Sequence, residues 1–311
     1  MENWKENNTW HGLSLNTIYN MDCVDWMKFI QDEYVDLIIS DPPYRKVIWE
    51  KWDYKRKTEE EYIEWSIWWI SECYRILRKW WTFYIFWYFR TLSKLVKHCE
   101  EMWFELKQQI IIDKWMQAVS WRATKNYKQF PNVTESCLYF VKDSYWYTKK
   151  LLKEKQKELW IKSKEINDKL WVKANWWWMR SIYTWNNICR QVPTKENREK
   201  LQNILWIDIP YNKIEIVFNA EMWITDVRTD INFYSEKRIH PTQKPMKLIS
   251  RLINASSHDG MLVFDPFMWS WSTAVTAKNL NRDFLWFELD KEYYEKSLKR
   301  LQENQERLSE K

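Results

Sequence analysis

The chain has 311 residues, enough for one large α/β domain with an insertion or for two domains, with an ample hydrophobic core. Its formal net charge of +6 is a mild basic excess, which permits a phosphate-binding face but does not require one. The five cysteines lack metal-ligand spacing, the N-terminus is polar, and every apolar run is short. We therefore expect a cytoplasmic protein with reduced thiols, no signal peptide, no membrane span and no metal site.

The first segment with chemical content is Val35–Ser40, an apolar run typical of a buried parallel strand, which is followed directly by Asp41, Pro42, Pro43 and Tyr44. Open α/β sheets bind their ligands at such strand ends. A carboxylate accepts hydrogen bonds from an amine, prolines stiffen a loop and leave its carbonyls free to accept, and an aromatic ring offers a stacking face. The tetrad therefore indicates either a clamp for the exocyclic amine of a flipped nucleobase or an ordinary turn after a strand.

The next region alternates between helices and strands. Thr58 and Glu61 form a capping-box pattern, which predicts a helix that ends near Arg78. Strands are predicted at 82–86, 106–112 and 135–141, and another helix at 92–102. This alternation predicts a doubly wound, mostly parallel sheet of the α/β class.

A polar, aromatic and basic loop between residues 115 and 131 contains Arg122 and Lys125. Long loops without secondary structure are uncommon in compact domains and are often functional. We expect these two side chains to contact nucleic-acid phosphates, whereas a long solvated loop is the alternative.

Residues 143–235 differ from the rest of the chain in composition, because they are rich in lysine and contain no buried-strand runs. Predicted helices at 161–170, 179–184 and 193–205 resemble a helix-turn-helix unit, whose second helix enters a major groove of DNA. A helical insertion that only packs on the core is the alternative. The residues that we expect to contact DNA bases are Lys173, Asn175, Ser181 and Tyr183.

Three motifs in a fixed order carry a family resemblance. Asp41–Tyr44 comes first, His240–Pro245 follows, and Phe264–Phe267 with its Ser/Thr-rich turn comes last. Together they resemble the beta class of DNA amino-methyltransferases, in which the catalytic half precedes the cofactor half. The resemblance implies a Rossmann-like sheet of the S-adenosylmethionine-dependent methyltransferase type. It also implies a catalytic half at 15–142, a helical target-recognition insertion at 143–235 and a cofactor half at 236–305.

The resemblance further implies a binding site for S-adenosyl-L-methionine. Asp265 is expected to accept hydrogen bonds from the ammonium group of this cofactor, Phe267 to pack on its adenosyl group, and Glu288 to bind its ribose diol. Asp22 approaches the adenine, or lies in a surface turn. The expected cofactor-binding residues are Asp22, Cys23, His240, Thr242, Gln243, Lys244, Pro245, Phe264, Asp265, Pro266, Phe267, Trp269, Ser270, Trp271, Ser272, Thr273 and Glu288.

Tryptophan and glycine occur in abnormal numbers, since the chain has 26 Trp and only 2 Gly, whereas glycine usually makes up about 7% of a protein. Several tryptophans stand where glycine is expected, such as Trp160 after a helical run and both Trp269 and Trp271 in the cofactor loop. We hypothesise that the coding sequence uses UGA for glycine and is read here as if UGA meant tryptophan. A genuinely Trp-rich protein is the alternative. Arg228, where relatives often have tryptophan, is a second candidate for recoding.

The implied reaction transfers the sulfonium methyl group to the exocyclic amine of a flipped base in double-stranded DNA. Asp41 and the carbonyl of Pro42 accept hydrogen bonds from this amine, while Tyr44 stacks beneath the base. In the family, aspartate as the first tetrad residue favours adenine N6 over cytosine N4. The alternatives are a non-catalytic DNA-binding protein, whose cofactor pocket Trp269 and Trp271 fill, and a nicotinamide-dependent oxidoreductase. The expected partners are DNA and a cognate restriction endonuclease, and we expect a monomer or a homodimer.

Overall fold

The structure is a computed structural model and describes residues 9–10, 13–44, 58–115, 118, 128, 130–142, 153–169, 195–207, 217–219, 221–236, 243–267 and 272–299. The contacts divide the chain into two compact units, a smaller one at 143–216 and a larger one formed by the remainder. Among the described residues, no helix combines the length and the hydrophobicity that crossing a membrane requires.

The larger unit is built on an eight-stranded sheet in the order β3-β10-β9-β4-β5-β7-β6-β8. The strands are β1 (Thr9–Trp10), β2 (Leu13–Ser14), β3 (Thr17–Asn20), β4 (Val35–Ser40), β5 (Leu77–Trp87), β6 (Phe104–Asp113), β7 (Thr134–Lys142), β8 (Val227–Arg228), β9 (Leu262–Asp265) and β10 (Asp283–Glu288), of which β1 and β2 form a separate hairpin. Neighbours from β3 to β5 are parallel, whereas β7 runs antiparallel to both β5 and β6. The predicted mostly parallel α/β sheet is confirmed.

Helices flank this sheet. In chain order the helices with defined bounds are α1 (Cys23–Met27), α2 (Glu59–Ile76), α3 (Phe89–Glu101), α4 (Ser163–Lys169), α5 (Lys195–Leu205), α6 (Met246–Ser256) and α7 (Ser272–Asn279), and residues 153–158 and 291–299 are also helical. In the larger unit α1, α2 and α3 pack in sequence, and α6 packs against α7.

The side chains of β5 alternate between two hydrophobic layers. Phe83 and Ile85 belong to the core cluster that includes residues of α1, α2 and α3. Tyr84, between them, points the opposite way, and its hydroxyl lies 2.8 Å from Oγ of Ser256 at the end of α6. The strand is therefore covered on both faces, which explains why it is apolar almost throughout.

Helix α2 begins with the predicted capping box. The hydroxyl of Thr58 accepts a hydrogen bond from the N–H of Glu61 (3.1 Å), and the carboxylate of Glu61 accepts one from the N–H of Thr58 (3.2 Å). Two N–H groups that the helix cannot pair are thereby satisfied. The helix ends at Ile76, before the predicted end at Arg78, because β5 begins directly at Leu77.

Strand β5 begins earlier than the sequence predicts. The prediction places a strand only from Thr82, but β5 already pairs with β4 at Leu77. The register between β4 and β5 shifts before Thr82, and Trp80 has a φ of 67°. The strand therefore contains an irregularity in the manner of a β-bulge before Thr82.

Six tryptophans have a left-handed backbone: φ is 67° at Trp80, 71° at Trp103, 58° at Trp115, 52° at Trp160, 50° at Trp206 and 71° at Trp223. Trp206 follows α5, and the N–H of Ile207 donates to the carbonyl of Gln202 (2.9 Å). This hydrogen bond belongs to the helix end that usually carries glycine. A residue with a Cβ pays about 1–2 kcal/mol for this conformation, so the backbone favours glycine at these positions.

The smaller unit contains a short helical core. Ile166 of α4 packs with Leu201 and Leu205 of α5 and with Ile207, which follows α5. These helices correspond to the first and last of the three predicted helices of the helix-turn-helix unit. The predicted middle helix at 179–184, together with Lys173, Asn175, Ser181 and Tyr183, lies outside the described residues.

The smaller unit ends at residue 216, not at the predicted boundary of 235. Residues 221–235 belong to the larger unit because β8, which lies within them, pairs with the edge strand β6. Ile231 and Phe233 are buried as well. A strand of two residues produces no hydrophobic run, so the sequence offered no sign of this boundary.

Candidate active site

Four acidic residues lie at or just beyond the carboxyl ends of four neighbouring strands. Asp22 follows β3, Glu288 ends β10, Asp265 ends β9, and Asp41 follows β4. These strands are parallel and in register, so their ends meet at one edge of the sheet. Ligands of open α/β sheets bind at this edge. Asp41 and Asp265 therefore lie at the same edge of the sheet.

Asp41 belongs to a buried cluster of charged side chains. Its Oδ2 lies 2.7 Å from Nζ of Lys244, and the same Nζ lies 2.9 Å from Oε1 of Glu135. Oε2 of Glu135 lies 2.9 Å from Nζ of Lys114. The exposed fractions are 13% for the side chain of Asp41, 5% for Lys244 and 2% for Glu135. The negative charges of two carboxylates and the positive charges of two ammonium groups thus cancel in a site that excludes most water.

Burial and pairing act in opposite directions on this cluster. Burial raises the pKa of Asp41, and Lys244 partly offsets this rise. Burial alone would raise the pKa of Glu135, but the ammonium groups of Lys244 and Lys114 lower it to about 2. Burial opposes the charge of Lys244, but its ion pairs with both carboxylates raise its pKa. Glu135 and Lys244 are therefore both charged at neutral pH.

Tyr44 is held against the interior. Its hydroxyl donates to Oε1 of Glu135, and its ring stacks on Trp87 with 5.6 Å between the centroids. The side chain is 8% exposed. Helix α2 fixes the loop from the other side, since the hydroxyl of Tyr62 donates to the carbonyl of Pro43 (2.7 Å). One face of Tyr44 is thus already covered by Trp87, and Nζ of Lys244 lies over the ring, 5.2 Å from its centroid.

Asp265 ties its own loop to helix α7. Oδ1 accepts a hydrogen bond from the N–H of Phe267 (3.0 Å), and Oδ2 accepts one from the hydroxyl of Thr273 (2.9 Å). Burial raises the pKa of Asp265 well above its ordinary value, and the charge of Asp41 contributes to this rise. A carboxylate has about four acceptor positions, so Asp265 retains capacity for a donor from a ligand.

Glu288 and Cys23 complete this side of the edge. Oε1 of Glu288 accepts a hydrogen bond from the N–H of Asp290 (2.7 Å), and burial raises the pKa of Glu288 to about 8. Burial also raises the pKa of the Cys23 thiol, and the nearby charges of Asp265 and Glu288 contribute. Oγ of Ser40, which precedes Asp41, is buried and has no hydrogen-bond partner in the described part of the chain. These groups suit a ligand that brings positive charge and hydroxyl donors.

Some predicted cofactor-binding residues lie in the core and do not face the strand ends. Phe264 is fully buried, and its ring lies 5.9 Å from that of Phe287. The ring of Phe267 packs edge-on against Trp69 of α2 at 5.0 Å, where the sequence predicts an adenosyl group. Pro245 stands at the N-cap of α6. Buried residues of the predicted set also include Pro42, Gln243, Pro266, Ser272 and Thr273.

Sequence reasoning missed Glu135 and Lys114. Glu135 stands at the start of a predicted strand, where the side chain of an acidic residue is ordinarily exposed to solvent. Its strand, β7, is antiparallel, so its beginning lies at the edge where the parallel strands end. Predicted site residues that lie outside the described part of the chain are Arg122, Lys125, His240, Thr242, Trp269, Ser270 and Trp271.

The raised pKa of Glu288 predicts a pH dependence of stability. Between the ordinary pKa of a glutamate, about 4.3, and about 8, the folded chain holds a proton that the unfolded chain has released. The free energy of unfolding therefore falls as the pH rises through this window, by up to about 1.4 kcal/mol per pH unit. We expect Glu288→Gln to flatten this slope in urea unfolding curves measured from pH 5 to 8. Glu64→Gln, at an exposed position of α2, is the matched control and must leave the slope unchanged.

Comparisons with known proteins find DNA methyltransferases among the sequences and structures that are similar to this chain. DNA adenine methyltransferase YhdJ of Escherichia coli (strain K12) is 29% identical over 292 residues, covering 93% of this chain and 84% of its own. Type II methyltransferase M.HpaI of Haemophilus parainfluenzae is 27% identical over 280 residues, covering 88% and 70%. The crystal structure of the M1.HpyAVI–SAM complex has the same fold, with a TM-score of 0.54, 21% identity and coverage of 91% of this chain and 98% of that one.

The family model described as DNA methylase matches residues 35–299, a span that contains the tetrad, Glu135, Lys244 and both cofactor-side acids. This match decides against the nicotinamide-dependent alternative. It covers most of the chain, and the protein therefore belongs to the N6/N4 DNA methylase family, the DNA amino-methyltransferases.

Proposed function

We propose that this protein transfers a methyl group from S-adenosyl-L-methionine to N6 of an adenine that is flipped out of double-stranded DNA. The observation that carries the proposal is the edge on which Asp41 of the Asp-Pro-Pro-Tyr tetrad lies with Asp265 and Glu288. An acceptor for an amine and acceptors for a cofactor are thereby available on one side of one sheet.

On the acceptor side, the chemistry is positioning and polarisation. The exocyclic amine of a base is a weak nucleophile because its lone pair is delocalised into the ring. Hydrogen bonds from this amine to the Asp41 carboxylate and to the carbonyl of Pro42 make its nitrogen more nucleophilic and orient its lone pair. The ion pair with Lys244 keeps Asp41 ionised in a site with little water.

On the cofactor side, Asp265, Glu288 and Asp22 are the residues that would hold the cofactor. S-adenosyl-L-methionine, when bound, supplies an electrophilic methyl group on a sulfonium ion. The Asp265 carboxylate accepts hydrogen bonds from an ammonium group, and Glu288 accepts them from a ribose diol. The raised pKa values of Asp265 and Glu288 support this assignment, because a cationic or hydroxyl-bearing ligand relieves the burial of each acid.

Adenine is favoured over cytosine by the first residue of the tetrad, Asp41, and by the name of the relative YhdJ, a DNA adenine methyltransferase. Cytosine N4 remains the alternative, because the family includes both kinds of amine. The name of M.HpaI, a type II methyltransferase, supports a role in restriction–modification with a cognate endonuclease.

The smaller unit, residues 143–216, is proposed to bind the DNA target. It carries 15 Lys and Arg against 9 Asp and Glu, a net charge of +6. The whole chain has 49 basic and 43 acidic residues, so the remaining 34 of each leave the larger unit with no net charge. The net positive charge that favours phosphate binding therefore lies in the smaller unit.

Removal of the Asp41 carboxylate tests the proposed reaction. Duplex DNA is incubated with S-adenosyl-L-methionine and the chain, either as written or with Trp269→Gly and Trp271→Gly, and its nucleosides are identified by mass spectrometry. We expect N6-methyladenine, and we expect Asp41→Ala to lower its formation at least about a hundredfold, since positioning terms of this size are usual.

Asp25→Ala, at an exposed aspartate of α1, is the matched control and should retain full activity. N4-methylcytosine as the product would overturn the choice of base. Absence of methylation by both forms of the chain, or equal activity of Asp41→Ala and the control, would overturn the proposed reaction.

Charge removal in the smaller unit tests the proposed DNA contact. A triple variant, Lys153→Gln, Lys157→Gln and Lys164→Gln, removes three exposed lysines from residues 143–216. We expect weaker binding to duplex DNA and a salt dependence whose logarithmic slope is smaller by up to about 3, one for each lost phosphate contact. The control removes exposed lysines of the larger unit, Lys97→Gln and Lys291→Gln. Equal slopes in the variant, the control and the unchanged chain would contradict the assignment.

A further inference from the structure

Lys244 is shared between two carboxylates that come from different strands. Its Nζ lies 2.7 Å from Oδ2 of Asp41 and 2.9 Å from Oε1 of Glu135, and the three side chains are almost fully buried. Glu135 also accepts the hydroxyl of Tyr44, the other chemical group of the tetrad. The side chain of Glu135 therefore contacts both Lys244, which pairs with Asp41, and the hydroxyl of Tyr44.

We propose that Glu135 is a positioning residue for methyl transfer: by holding Lys244 and the hydroxyl of Tyr44, it keeps the Asp41 carboxylate oriented toward the amine. This inference rests on the proposed function and deepens it. Glu135 acts through Lys244, whose ammonium group it fixes at the distance that Asp41 requires.

The place of Glu135 in the fold makes it a rigid support. It lies at the beginning of β7, and the next residue, Ser136, pairs with Trp87 of β5. Lys114, which follows β6, anchors the second oxygen of Glu135 at 2.9 Å. Lys114 thus holds Oε2 from the sheet side, while Oε1 faces Lys244 and the hydroxyl of Tyr44.

Lys244 and Glu135 have opposite effects on the pKa of Asp41. Lys244 favours the ionised carboxylate, whereas Glu135 and, from β9, Asp265 disfavour it by repulsion. Among the described residues, the Tyr44 hydroxyl and the Cys137 thiol of β7 also interact with Asp41. Loss of Lys244 therefore raises the pKa of Asp41, while loss of the Glu135 charge lowers it.

The test is the pH profile of kcat for methylation of duplex DNA by the chain in the form that methylates. We expect Glu135→Gln to shift the acidic limb to lower pH and Lys244→Gln to shift it to higher pH, each by about one unit, the size usual for a charge in direct contact. We also expect plateau kcat to fall about tenfold in both variants, because the tetrad loses its support. Glu105→Gln, at a glutamate of β6 that pairs with a lysine, is the matched control and must not move the limb.

Limbs that stay in place, or that move in the same direction in both variants, would overturn the role of Glu135. Melting curves establish that each variant is folded. If Glu135→Gln does not fold, Glu135→Asp and Lys244→Gln together decide the matter. Glu135→Asp keeps the charge and must leave the acidic limb at the same pH. Lys244→Gln must shift the acidic limb to higher pH. Absence of methylation by the unsubstituted chain would refute the proposed function instead, so the two failures are distinguishable.

A separate observation concerns the tryptophans with positive φ. Of the nine described residues other than glycine with positive φ, six are tryptophan, and the other three are two asparagines and a glutamate. Bulky residues are rare in this conformation, whereas glycine adopts it without strain. Trp160, Trp206 and Trp223 are also 91%, 78% and 91% exposed, so their indoles gain little from packing. We infer that the polypeptide made by the cells that carry this gene has glycine at these six positions.

Arg228 supports the same inference for a second codon. It is buried at 8% exposure, and its Nε and Nη1 have no hydrogen-bond partner in the described part of the chain. A buried guanidinium with unpaired nitrogens is costly, whereas an aromatic residue of similar size fills the same space at lower cost. Tryptophan at position 228 fits this environment better than arginine.

Peptide mass spectrometry of the protein isolated from those cells decides the matter. We expect glycine masses at 103, 160, 206 and 223, and tryptophan at 228; tryptophan masses at the first four positions would overturn the inference. In the chain as written, Trp206→Gly should melt about 2 °C or more above Trp206→Ala, because only glycine relieves the backbone. Trp68→Gly, in the interior of α2, is the matched control and should melt lower than the chain as written. Equal melting of the two Trp206 variants would remove the backbone argument.

Discussion

The sharing of one ammonium group by two buried carboxylates is the interaction on which the site depends. Two acids in a region with little water repel each other, and without a cation at least one of them takes up a proton. The positive charge of Lys244 offsets the repulsion between Asp41 and Glu135, and Lys114 provides a second positive charge beside Glu135. Lys244 lowers the pKa of Asp41, which burial and the charge of Glu135 raise, and it therefore favours the ionised form of this carboxylate.

The order of the strands is what makes this pairing possible. Asp41 follows β4, Glu135 begins β7, and Lys244 precedes α6, so the three residues are far apart in the sequence. They meet because β5 alone separates β4 from β7, and because β7 is antiparallel. The edge therefore collects the ends of parallel strands and the beginning of an antiparallel one. At such an edge, an acid that follows one strand lies close to an acid that begins another, and both are held by rigid backbone.

Sequence reasoning reached the parts of the structure that depend on local pattern. The hydrophobic run of β4, the capping box of α2 and the buried stripe of α6 are visible in the residues themselves. The alignment of Asp41 with Asp265 followed from strand ends and from the family motifs. Glu135 could not be found in this way, because its role depends on the direction of β7, which hydrophobic periodicity does not report. The membership of β8 in the sheet was missed for a related reason, since pairing partners leave no trace in a segment of two residues.

Local pattern also misplaced some aromatic residues. Phe264 and Phe267 stand in a motif that reads as a ligand cradle, but their rings contact Phe287 and Trp69 in the interior. Phe264 lies within β9, a strand covered on both faces, so its ring enters a core layer wherever the ligand sits. The carboxylate of Asp265, which ends the strand, is the first group of the motif at the ligand edge. A sequence motif thus indicates which segment of the chain approaches a ligand. The alternation of side chains between the two faces of the strand determines which of them can contact it.

The confinement of all net positive charge to residues 143–216 has a consequence for how proteins of this design can diverge. Electrostatic attraction between exposed charges reaches about 10 Å at 0.1 M salt, and substitutions in that segment change the net charge from which it arises. The ion pairs at the strand ends are balanced within themselves and lie in the larger unit, which has no net charge. Charge substitutions in residues 143–216 can therefore accumulate while the set of charges around Asp41 stays the same.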